Sequence, residues 1–321
     1  MGIQNLNSYL RKYTTDKAIN KITLKELSGK KIVVDTSIYL YRFISEDALL
    51  ENMYIMISLF KLYNIVPIFV FDGIAPIDKN KTIEKRNNEK LIAEEEYNKL
   101  KKELQTIDSS DKLYLTIMNT MEQLKKKFIR LKREDFQSIQ ELITAFGLKY
   151  IEAEGEADEL CAKLVIKKYA YACLSEDMDM FIYGCPRVLR YFSLMNESVI
   201  IYYLEQILLD LDLTFNEFKE ICIISGTDYS NSINSNNINL YKTFEYFKVY
   251  KTTNNSNANF YEWLENNTDY INNIYKLYSI YNIFKTDNIN LKKIKINIKI
   301  QEVNITKVEE IMKPEGFIFI K

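Results

Sequence analysis

Two pairs of carboxylates, each pair separated by a single residue, are the side chains of this sequence best suited to chemistry. Glu154 and Glu156 form one pair, and Asp177 and Asp179 form the other. On extended or turn backbone this spacing puts both side chains of a pair on the same side. Four like charges brought together repel, and a hard divalent cation with oxygen ligands is the usual counter-ion. Either pair taken alone is also typical of solvated surface acids.

Three apolar segments place further acids near these pairs. The segments IVVD, VPIFVFD and AYACLSED end at Asp35, Asp72 and Asp177, and helical patterns separate them. Such alternation predicts a mostly parallel α/β sheet, in which a site lies outside the carboxyl ends of the strands. We therefore expect the three aspartates to meet at one edge, beside the helix N-terminus that carries Glu154 and Glu156. One strand-ending aspartate is also a common helix N-cap, but three of them with two pairs favour a shared divalent-metal site.

Composition removes several other kinds of chemistry. The 321 residues are 47% hydrophobic and 27% charged, which is typical of a globular protein. The chain has no histidine, so serine–histidine triads, histidine general bases and histidine zinc ligands are excluded. Neither GxxxxGK[ST] nor GxGxxG occurs. Any enzymatic chemistry is therefore expected to use carboxylates, metals, lysine and arginine. Because the net charge is only −1, a polyanion would have to be bound by local basic patches.

The cysteines and the apolar runs indicate the compartment. Four cysteines lie in apolar segments without a CxxC pair, which is typical of reduced core thiols in an intracellular protein: Cys161, Cys173, Cys185 and Cys222. No apolar run approaches the roughly 18 residues that a membrane span needs. No signal or transit peptide is recognisable, and Leu6 stands where a myristoylation signal requires Ser or Thr. We expect a soluble chain.

A tract rich in lysine and glutamate, at about 77–136, interrupts the α/β pattern. It contains two helical parts separated by QTIDSSDKL. One interpretation is a solvated helical hairpin. The other is a helical arch over the sheet edge whose basic side chains face a polyanion, and the position of the tract, directly after the strand that ends at Asp72, favours the arch.

The rest of the chain predicts a hairpin of two strands after Gly184, then a helix at 204–211 and another that ends near Gly226, with Asp228 just beyond. A Ser- and Asn-rich loop follows at 231–239, and helical patterns continue to about Lys285. We therefore expect a core of residues 1–230, with the arch inserted, and a mostly helical C-terminal extension of residues 231–321.

These motifs, taken in order, resemble the flap endonuclease/XPG-like family of 5′ nucleases. The resemblance rests on MGIQNL, VVDTSIYLYRF, IFVFDGIAP, EAEGEADELCAKL, LSEDMDMFIYG and SGTDYS, spread over most of the first 230 residues. It implies a PIN-like core with a helical arch and a C-terminal helix–hairpin region. It also implies hydrolysis of DNA phosphodiester bonds by two Mg²⁺ ions, with Mn²⁺ as a substitute. Two ions roughly 4 Å apart clamp a phosphate and lower the pKa of a bound water.

The resemblance also assigns roles to residues. Lys79 and Arg86 match a catalytic basic pair at the base of the arch that contacts the scissile phosphate, where they stabilise developing charge. Tyr41 matches an aromatic side chain that stacks on the neighbouring nucleotide, and Gly2 matches a residue near the DNA and the metals. Arg133, in the basic tract QLKKKFIRLKRED, is a further expected DNA contact. Seven acids match the family's metal-binding carboxylates: Asp35, Asp72, Glu154, Glu156, Asp177, Asp179 and Asp228.

The sequence departs from the family at two places. The segment between Asp35 and Asp72 is shorter than in cellular members around 44–51, where they carry a wedge that separates two duplexes. The loop after Asp228 has Ser235, Asn236 and Asn237 where relatives carry a glycine-rich hairpin, and asparagine side chains obstruct close approach of the backbone to a phosphate.

The expected partner is DNA with a 5′ flap, gap or end. No sliding-clamp peptide is recognisable, and a monomer is expected. The compact length and biased composition suggest a viral or streamlined relative that acts in a nucleus or at a viral replication site. Two alternatives remain open at this point: an RNA-directed 5′ exonuclease of the same superfamily, and a non-catalytic factor that binds DNA junctions.

Overall fold

One sheet determines where the acids lie. The computed structural model describes residues 2–76, 79–105, 107, 112–229, 238–253, 258–285, 291 and 301–317. Within these ranges the strands are β1 (Ile19–Thr23), β2 (Lys31–Asp35), β3 (Val66–Phe71), β4 (Tyr150–Glu152), β5 (Ala172–Leu174), β6 (Arg187–Ser193) and β7 (Ser198–Tyr203). They form a seven-stranded sheet in the order β1-β7-β6-β5-β2-β3-β4.

Helices cover both faces of this sheet and extend from it. They are α1 (Leu6–Tyr13), α2 (Thr36–Ser45), α3 (Leu49–Leu62), α4 (Asn80–Leu104), α5 (Lys112–Lys127), α6 (Arg133–Ala145), α7 (Ala157–Ile166), α8 (Asp179–Ile182), α9 (Leu204–Leu211), α10 (Phe215–Ser225), α11 (Leu240–Thr253), α12 (Phe260–Asn267), α13 (Ile274–Ile283) and α14 (Ile305–Met312). Short 3₁₀ helices occupy Leu24–Leu27 and Lys313–Glu315.

The sheet is mostly parallel, which confirms the predicted fold class. The central strand β2 pairs in parallel with β3 and with β5, while β4 and β6 extend the parallel part. Strands β6 and β7 form the expected antiparallel hairpin, and β1 adds to β7. All the parallel strands point the same way, so the carboxyl ends of β2, β3 and β5 lie at one edge.

The residues of β2 show why the sheet forms here. Val33 belongs to the core on one face, together with α1, α7 and α10, while Ile32 and Val34 belong to the core on the other face, together with α2, α3 and α6. All three side chains are buried. Burial of one such side chain contributes roughly 1.5–3 kcal/mol, and burial on both faces explains why the strand is a continuous apolar run.

The lysine-rich tract forms a pair of helices, as predicted. Helix α4 has 25 residues, of which only Thr82 and Ala93 are buried, so most of its surface is solvated. Tyr97 of α4 and Phe128, just after α5, hold the two helices together with a ring separation of 5.4 Å. Most of the predicted connection between them lies outside the described residues.

The C-terminal part of the chain packs against the core. Helices α11, α12 and α13 bury their apolar faces on the same side of the sheet as α10. The final segment returns to α6, where the backbone N–H of Asn304 donates to the carbonyl of Ala145 over 2.8 Å. The predicted domain boundary near residue 230 falls in a segment outside the described residues, and so does most of the Ser/Asn-rich loop, including residues 235–237.

Two further sequence-based expectations concern the chain as a whole. All four cysteines are buried free thiols, as expected. Among the helices of the described ranges, none is both long enough and apolar enough to cross a bilayer.

Candidate active site

The carboxyl ends of the parallel strands gather buried acids at one edge of the sheet. Asp35 ends β2 and is only 3% exposed, Asp177 follows β5 and is 7% exposed, and Asp72 follows β3 with an exposed side chain. Burial, the charge of Asp72 and the charge of Asp177 raise the pKa of Asp35 to about 8. The structure thus brings together the three strand-ending aspartates.

Ser175 links two of these acids, and nothing in the sequence marked it. Its hydroxyl donates to Asp35 Oδ2 over 2.8 Å and accepts from the backbone N–H of Asp177 over 3.1 Å. The backbone N–H of Asp179 in turn donates to Asp177 Oδ1 over 2.9 Å. The loop after β5 is therefore held by its own polar groups, which fix the side chain of Asp177 and the backbone of Asp179 relative to β2.

Asp179 carries an unsatisfied acceptor. The side chain is 3% exposed, and its Oδ1 atom has no hydrogen-bond partner among the described residues. Burial together with the charges of Asp177 and Asp228 raises its pKa well above the usual range. A buried carboxylate oxygen without a donor is costly unless a cation satisfies it.

The N-terminal segment closes this side of the site. Gly2 has a φ of +75°, and a Cβ atom at this position would clash with Asp177 Oδ1 and lie 2.6 Å from Asp179 Oδ1. Only glycine allows the backbone to approach two carboxylates so closely. The structure thus places Gly2 beside the acids, while its role towards DNA stays a prediction.

The turn before α7 presents a different pair of acids from the one that the spacing suggested. Glu156 is the N-cap residue of α7, and Asp158 lies in its first turn. Burial and the charges of Asp35 and Asp177 raise the pKa of Asp158 well above its usual range, and its side chain hydrogen-bonds to Asp35. Glu154 is exposed and is not among the charges that shift the pKa values of the buried acids.

The reason lies in the backbone. Because α7 begins at Ala157, Asp158 lies in its first turn, and its side chain reaches Asp35 at the end of β2. The backbone of Glu154 serves another purpose, since its carbonyl accepts from the N–H of Ile74 over 3.3 Å. Geometry therefore favours Glu156 and Asp158 as the site pair, in place of Glu154 and Glu156.

Asp72 is tied to the same turn. Its Oδ1 atom accepts from the backbone N–H of Ala157 over 2.8 Å, at the N-terminus of α7, where a negative charge is favoured. Gly73 donates its N–H to the carbonyl of Gly155 over 2.7 Å, and a Cβ atom on Gly73 would collide with the carbonyl of Ala153. The close approach of these two segments explains the glycine that follows Asp72.

The base of the arch meets the acids through two cations. Lys79 Nζ lies 2.5 Å from Glu156 Oε1 and 3.7 Å from Asp228 Oδ2, and Arg86 donates to Asp228 Oδ2 over 2.7 Å. Burial alone lowers the pKa of Lys79, but the charge and hydrogen bond of Glu156 outweigh it and raise the pKa. Tyr229, which sequence reasoning missed, donates its hydroxyl to Glu156 Oε2 over 2.7 Å.

These contacts put Lys79, Arg86 and Asp228 in one cluster, while the expected contact of the two cations with the scissile phosphate stays a prediction. Thr82 adds a further tie, because its hydroxyl donates to the backbone carbonyl of Asp228 over 2.7 Å. The arch is therefore anchored to the loop after α10 through its first two turns.

The aromatic side chain expected to contact a nucleotide lies at the rim. Tyr41 on α2 is 45% exposed, and burial and the charge of Asp72 raise its pKa. Lys90 of α4 lies over its ring at 5.2 Å from the centroid. Arg133, by contrast, is exposed at the first residue of α6, and no described contact joins it to the acids. Its expected contact with DNA stays a prediction.

Glu176, adjacent to the DxD pair, has a structural role. It accepts from the backbone N–H of Tyr191 over 2.6 Å, and Arg190 donates to its backbone carbonyl over 3.0 Å. Arg190 also donates to Asn7 Oδ1 over 3.0 Å. This network joins the loop after β5 to α1 and β6, and so supports the acids from outside the cluster.

The donor set fits divalent cations. The gathered groups are all oxygen donors, mutual repulsion and burial raise the pKa values of four of them, and Asp179 Oδ1 lacks a partner. Hard cations such as Mg²⁺ prefer such ligands. Across the described ranges no three acids are already arranged around one point in a metal-binding geometry, and Lys79 and Arg86 pair with Glu156 and Asp228.

Comparison with known proteins gives the family. The model of the XPG N-terminal domain matches residues 1–95, and the model of the XPG I-region matches residues 147–228. Together they cover more than half of the chain, which therefore belongs to the flap endonuclease/XPG family. The unmatched stretch between the two regions contains most of the arch.

Two relatives and one solved structure agree with this membership. Flap endonuclease 1 of Encephalitozoon cuniculi is 31% identical over 251 residues, covering 73% of this chain and 69% of the relative. The probable RAD2-like endonuclease 076L of Invertebrate iridescent virus 3 is 27% identical over 289 residues, covering 73% and 75%. The match spans 62% of several other flap endonucleases. The catalytic core of Rad2 in complex with DNA substrate has the same fold, with a TM-score of 0.67 at 20% identity over 98% of this chain and 96% of that one.

Proposed function

We propose that this protein is a structure-specific 5′ nuclease that hydrolyses DNA phosphodiester bonds with two divalent metal ions. The observation that carries the proposal is the gathering of acids from separate segments at one sheet edge, directly against the basic base of the arch. Membership of the flap endonuclease/XPG family supports the same activity. A non-catalytic junction-binding role would not need buried, mutually repelling carboxylates.

Seven acids would hold the ions in this proposal, with Asp158 in the place that the spacing argument gave to Glu154. They are Asp35, Asp72, Glu156, Asp158, Asp177, Asp179 and Asp228. When bound, Mg²⁺ ions supply positive charge to the phosphate oxygens and make a water more acidic. Mn²⁺ has the same preference for oxygen ligands and is expected to substitute.

The chain's own residues orient the substrate. Lys79 and Arg86 lie where a phosphate diester would meet the acids, and they stabilise charge that develops on its oxygens during hydrolysis. In the structure Lys79 pairs with Glu156 and Arg86 pairs with Asp228. On binding, the phosphate would replace the acids as partner of these cations, and the metal ions would replace the cations as partners of the acids. The reaction adds one water across a P–O bond and yields a phosphate monoester and a hydroxyl.

Tyr41 offers an exposed ring beside Asp72, where a base next to the reacting phosphate could stack without regard to sequence. Lys90, above that ring, adds a cation on the arch side. The connection between α2 and α3 has only three residues, 46–48, in the segment where cellular relatives carry a wedge. A less strict requirement for a two-duplex junction follows from this short connection.

A set of matched substrates tests the function. Wild-type protein is incubated in Mg²⁺ with a 5′-flap duplex, a nicked duplex, a gapped duplex, a blunt duplex and the RNA version of the flap. The proposal expects cleavage of the flap, gap or nick in preference to the blunt duplex, and DNA in preference to RNA. Preference for RNA would favour a 5′ exoribonuclease, and absence of turnover with retained junction binding would favour a binding factor.

A cellular setting follows from the substrate. We place the protein where DNA is replicated or repaired, in a nucleus or at a viral replication site, and the viral relative supports the second of these. The protein is proposed to act as a monomer. Sedimentation of the chain alone and with flap DNA checks this, since one chain per DNA is expected.

A further inference from the structure

The opposite edge of the sheet holds a basic pocket that the nuclease site does not use. It has a volume of about 580 Å³ and lies where the parallel strands begin. Lys31 opens β2, Arg187 opens β6, and Tyr171 immediately precedes β5. Because β2 spans five residues, this pocket lies about 13 Å from Asp35 along the strand direction. It is therefore separate from the acids.

The lining is unusually rich in positive charge. Four basic side chains and two tyrosines line the pocket, and none of its lining residues is acidic. The basic side chains are Lys30, Lys31, Lys168 and Arg187. Among the described residues no carboxylate lies within ion-pair distance of any of them, whereas the cations of the arch base pair with Glu156 and Asp228. Unpaired positive charges around one cavity repel one another, and a bound anion would reduce this repulsion.

Two of the cations are held on one aromatic ring. The Arg187 guanidinium lies 4.5 Å from the centroid of Tyr171, and Lys30 Nζ lies 5.1 Å from the same centroid. Arg187 also donates to the backbone carbonyl of Tyr171 over 3.1 Å. These contacts restrain the guanidinium and leave other N–H groups of its fork for an anion.

A purely structural explanation covers only part of this cluster. Lys168 follows the C-terminus of α7, where a cation is favoured by the helix dipole. Lys30, Lys31 and Arg187 lie at the starts of strands, where no such dipole acts. Burial raises the pKa of Tyr203 on this side of the sheet, and the charge of Glu26 raises it further, but the Glu26 carboxylate is engaged in capping the 3₁₀ helix, where it accepts from the backbone N–H and the hydroxyl of Thr23.

The second tyrosine indicates what kind of anion fits. Tyr169 is 44% exposed at the pocket wall, so an aromatic face is available beside the cations. The volume suits a ligand of the size of one nucleotide. A phosphate held by lysine and arginine with a base against a tyrosine is a common way to bind nucleotides.

We propose that this pocket binds a nucleoside 5′-phosphate, with the phosphate held by Arg187 and the lysines and the base against Tyr169. Such a group has two sources, a free mononucleotide and the 5′-phosphorylated end of a DNA strand. The proposal does not depend on the nuclease activity, because none of the acids takes part in the pocket.

Equilibrium binding of dAMP to the full-length protein in Mg²⁺ tests the proposal. We expect saturable binding in the micromolar to millimolar range, weakened at least tenfold in Lys31→Gln/Lys168→Gln, whose side chains are both exposed so that the fold is retained. The double variant Lys25→Gln/Lys248→Gln removes the same charge from exposed positions elsewhere and should bind as the wild type does. No saturable binding, or equal weakening in both double variants, would overturn the proposal.

Two further comparisons test whether the base contributes to binding and whether the ligand is a free nucleotide or a DNA end. Inorganic phosphate should bind more weakly than dAMP, and Tyr169→Ala should remove that advantage; equal binding of phosphate and dAMP by the wild type contradicts the role of the base. A short single-stranded oligonucleotide with a 5′-phosphate, compared with its 5′-hydroxyl form, identifies the source. Stronger competition by the phosphorylated form would identify a DNA end as the source, and no competition by either form would identify a free mononucleotide. Equal and measurable competition by both forms would show that the pocket recognises no terminal phosphate, and would contradict the proposal.

Discussion

The two edges of the central sheet carry opposite charge, and they carry it in different ways. At the carboxyl ends of the strands, Asp35, Asp177 and Asp179 are short, buried residues that are tied to one another through Ser175 and backbone N–H groups. At the amino ends the cations are long side chains that lack carboxylate partners among the described residues; the three lysines are exposed, and Arg187 is partly exposed. The acidic edge is therefore preorganised for its ligand. At the basic edge, the flexible lysine side chains must become ordered when a ligand binds.

The difference has a consequence for affinity. Groups that are already fixed lose little entropy on binding, so the acidic edge can hold small ions at defined positions. Lysines that must be ordered first give weaker binding that salt diminishes. We therefore expect substitutions at the acidic edge to change catalysis by orders of magnitude and substitutions at the basic edge to leave it nearly unchanged.

The largest effect is expected at the acids themselves. Asp179→Asn should lower Mg²⁺-dependent cleavage of a 5′ flap by more than about 10³-fold, because it removes a buried ligand charge. Binding of flap DNA, measured by anisotropy in Ca²⁺ for both proteins, should change little. Normal cleavage by this variant would contradict the assignment of Asp179 as a metal ligand.

The pair Asp158→Asn and Glu154→Gln tests the assignment within the turn before α7. Each change removes one negative charge, and the two positions are only four residues apart, so each variant is a control for the other. Asp158→Asn should reduce cleavage by a factor comparable to Asp179→Asn, since Asp158 hydrogen-bonds to Asp35. Glu154→Gln should stay within about threefold of the wild type, as is usual for an exposed side chain. The reverse ranking would restore the pair Glu154 and Glu156 that the spacing suggested.

A smaller effect is expected at the base of the arch. Lys79→Gln should reduce the single-turnover rate by about 10²- to 10³-fold, because in the proposed mechanism Lys79 stabilises charge on the reacting phosphate. Lys81→Gln, an exposed change two residues further along the same segment, serves as the matched control. If the two variants cleave at similar rates, Lys79 acts only as a partner for Glu156.

The supporting hydroxyl should contribute less again. Ser175→Ala removes a donor to Asp35 Oδ2 and an acceptor for the N–H of Asp177, so both acids lose a fixed orientation. We expect a loss of about 10- to 100-fold, with a higher Mg²⁺ requirement. A uniform loss at every Mg²⁺ concentration would indicate damage to the fold, which thermal unfolding can detect independently.

The pH dependence of stability tests the charge state of the acidic edge. In the folded protein the pKa of Asp35 is raised to about 8, so between about pH 4 and pH 8 the folded state binds more protons than the unfolded state. Without metal, the free energy of unfolding should therefore fall as pH rises through this window. Mg²⁺ should reduce the fall.

Two variants identify the source of that dependence. Glu220 is not one of the seven site acids, and its pKa is raised to about 7 by burial and by the charges of Glu217 and Glu262. Glu220→Gln should therefore reduce the slope in the same window without changing the effect of Mg²⁺. Asp35→Asn should reduce both the slope and the effect of Mg²⁺. Thermal unfolding at pH 5, 6, 7 and 8, with EDTA or with Mg²⁺, measures both. Stability that rises with pH in EDTA would contradict the raised pKa.

The smallest effect on catalysis is expected from the basic pocket. Lys31→Gln/Lys168→Gln should leave flap cleavage within about twofold of the wild type, as surface changes usually do. A loss of cleavage that parallels the loss of dAMP binding would show that the two edges act together rather than separately.

The sequence predicted the parts of the fold that depend on local pattern. The apolar runs that end at Asp35, Asp72 and Asp177 are β2, β3 and the β5 segment, and the helix at 204–211 has the predicted bounds. The pattern did not reveal β1 or β4. Strand β4 has three residues, none of them fully buried, and β1 has one buried residue, so neither shows an alternation that can be recognised.

The parts of the site that the sequence missed depend on contacts made after folding. Ser175 pairs with an acid 140 positions away, and Tyr229 with one 73 positions away, so spacing carries no signal for either. Asp158 lies outside the two pairs that the spacing selects, and its role follows from where α7 begins, which the pattern does not fix to a single residue. Asp158 and Glu159 are acids of the kind that is enriched in the first turn of a helix, and this is a signal that could have placed the start of α7.

Counting bound ions tests the central claim most directly. Titration of the full-length protein with Mn²⁺, followed by electron paramagnetic resonance of the free ion, should give two sites in the wild type and in Glu154→Gln. At least one site should be lost or strongly weakened in Asp158→Asn and in Asp179→Asn. Saturable binding that disappears in Glu154→Gln but persists in Asp158→Asn, or no saturable binding in the wild type, would contradict the account.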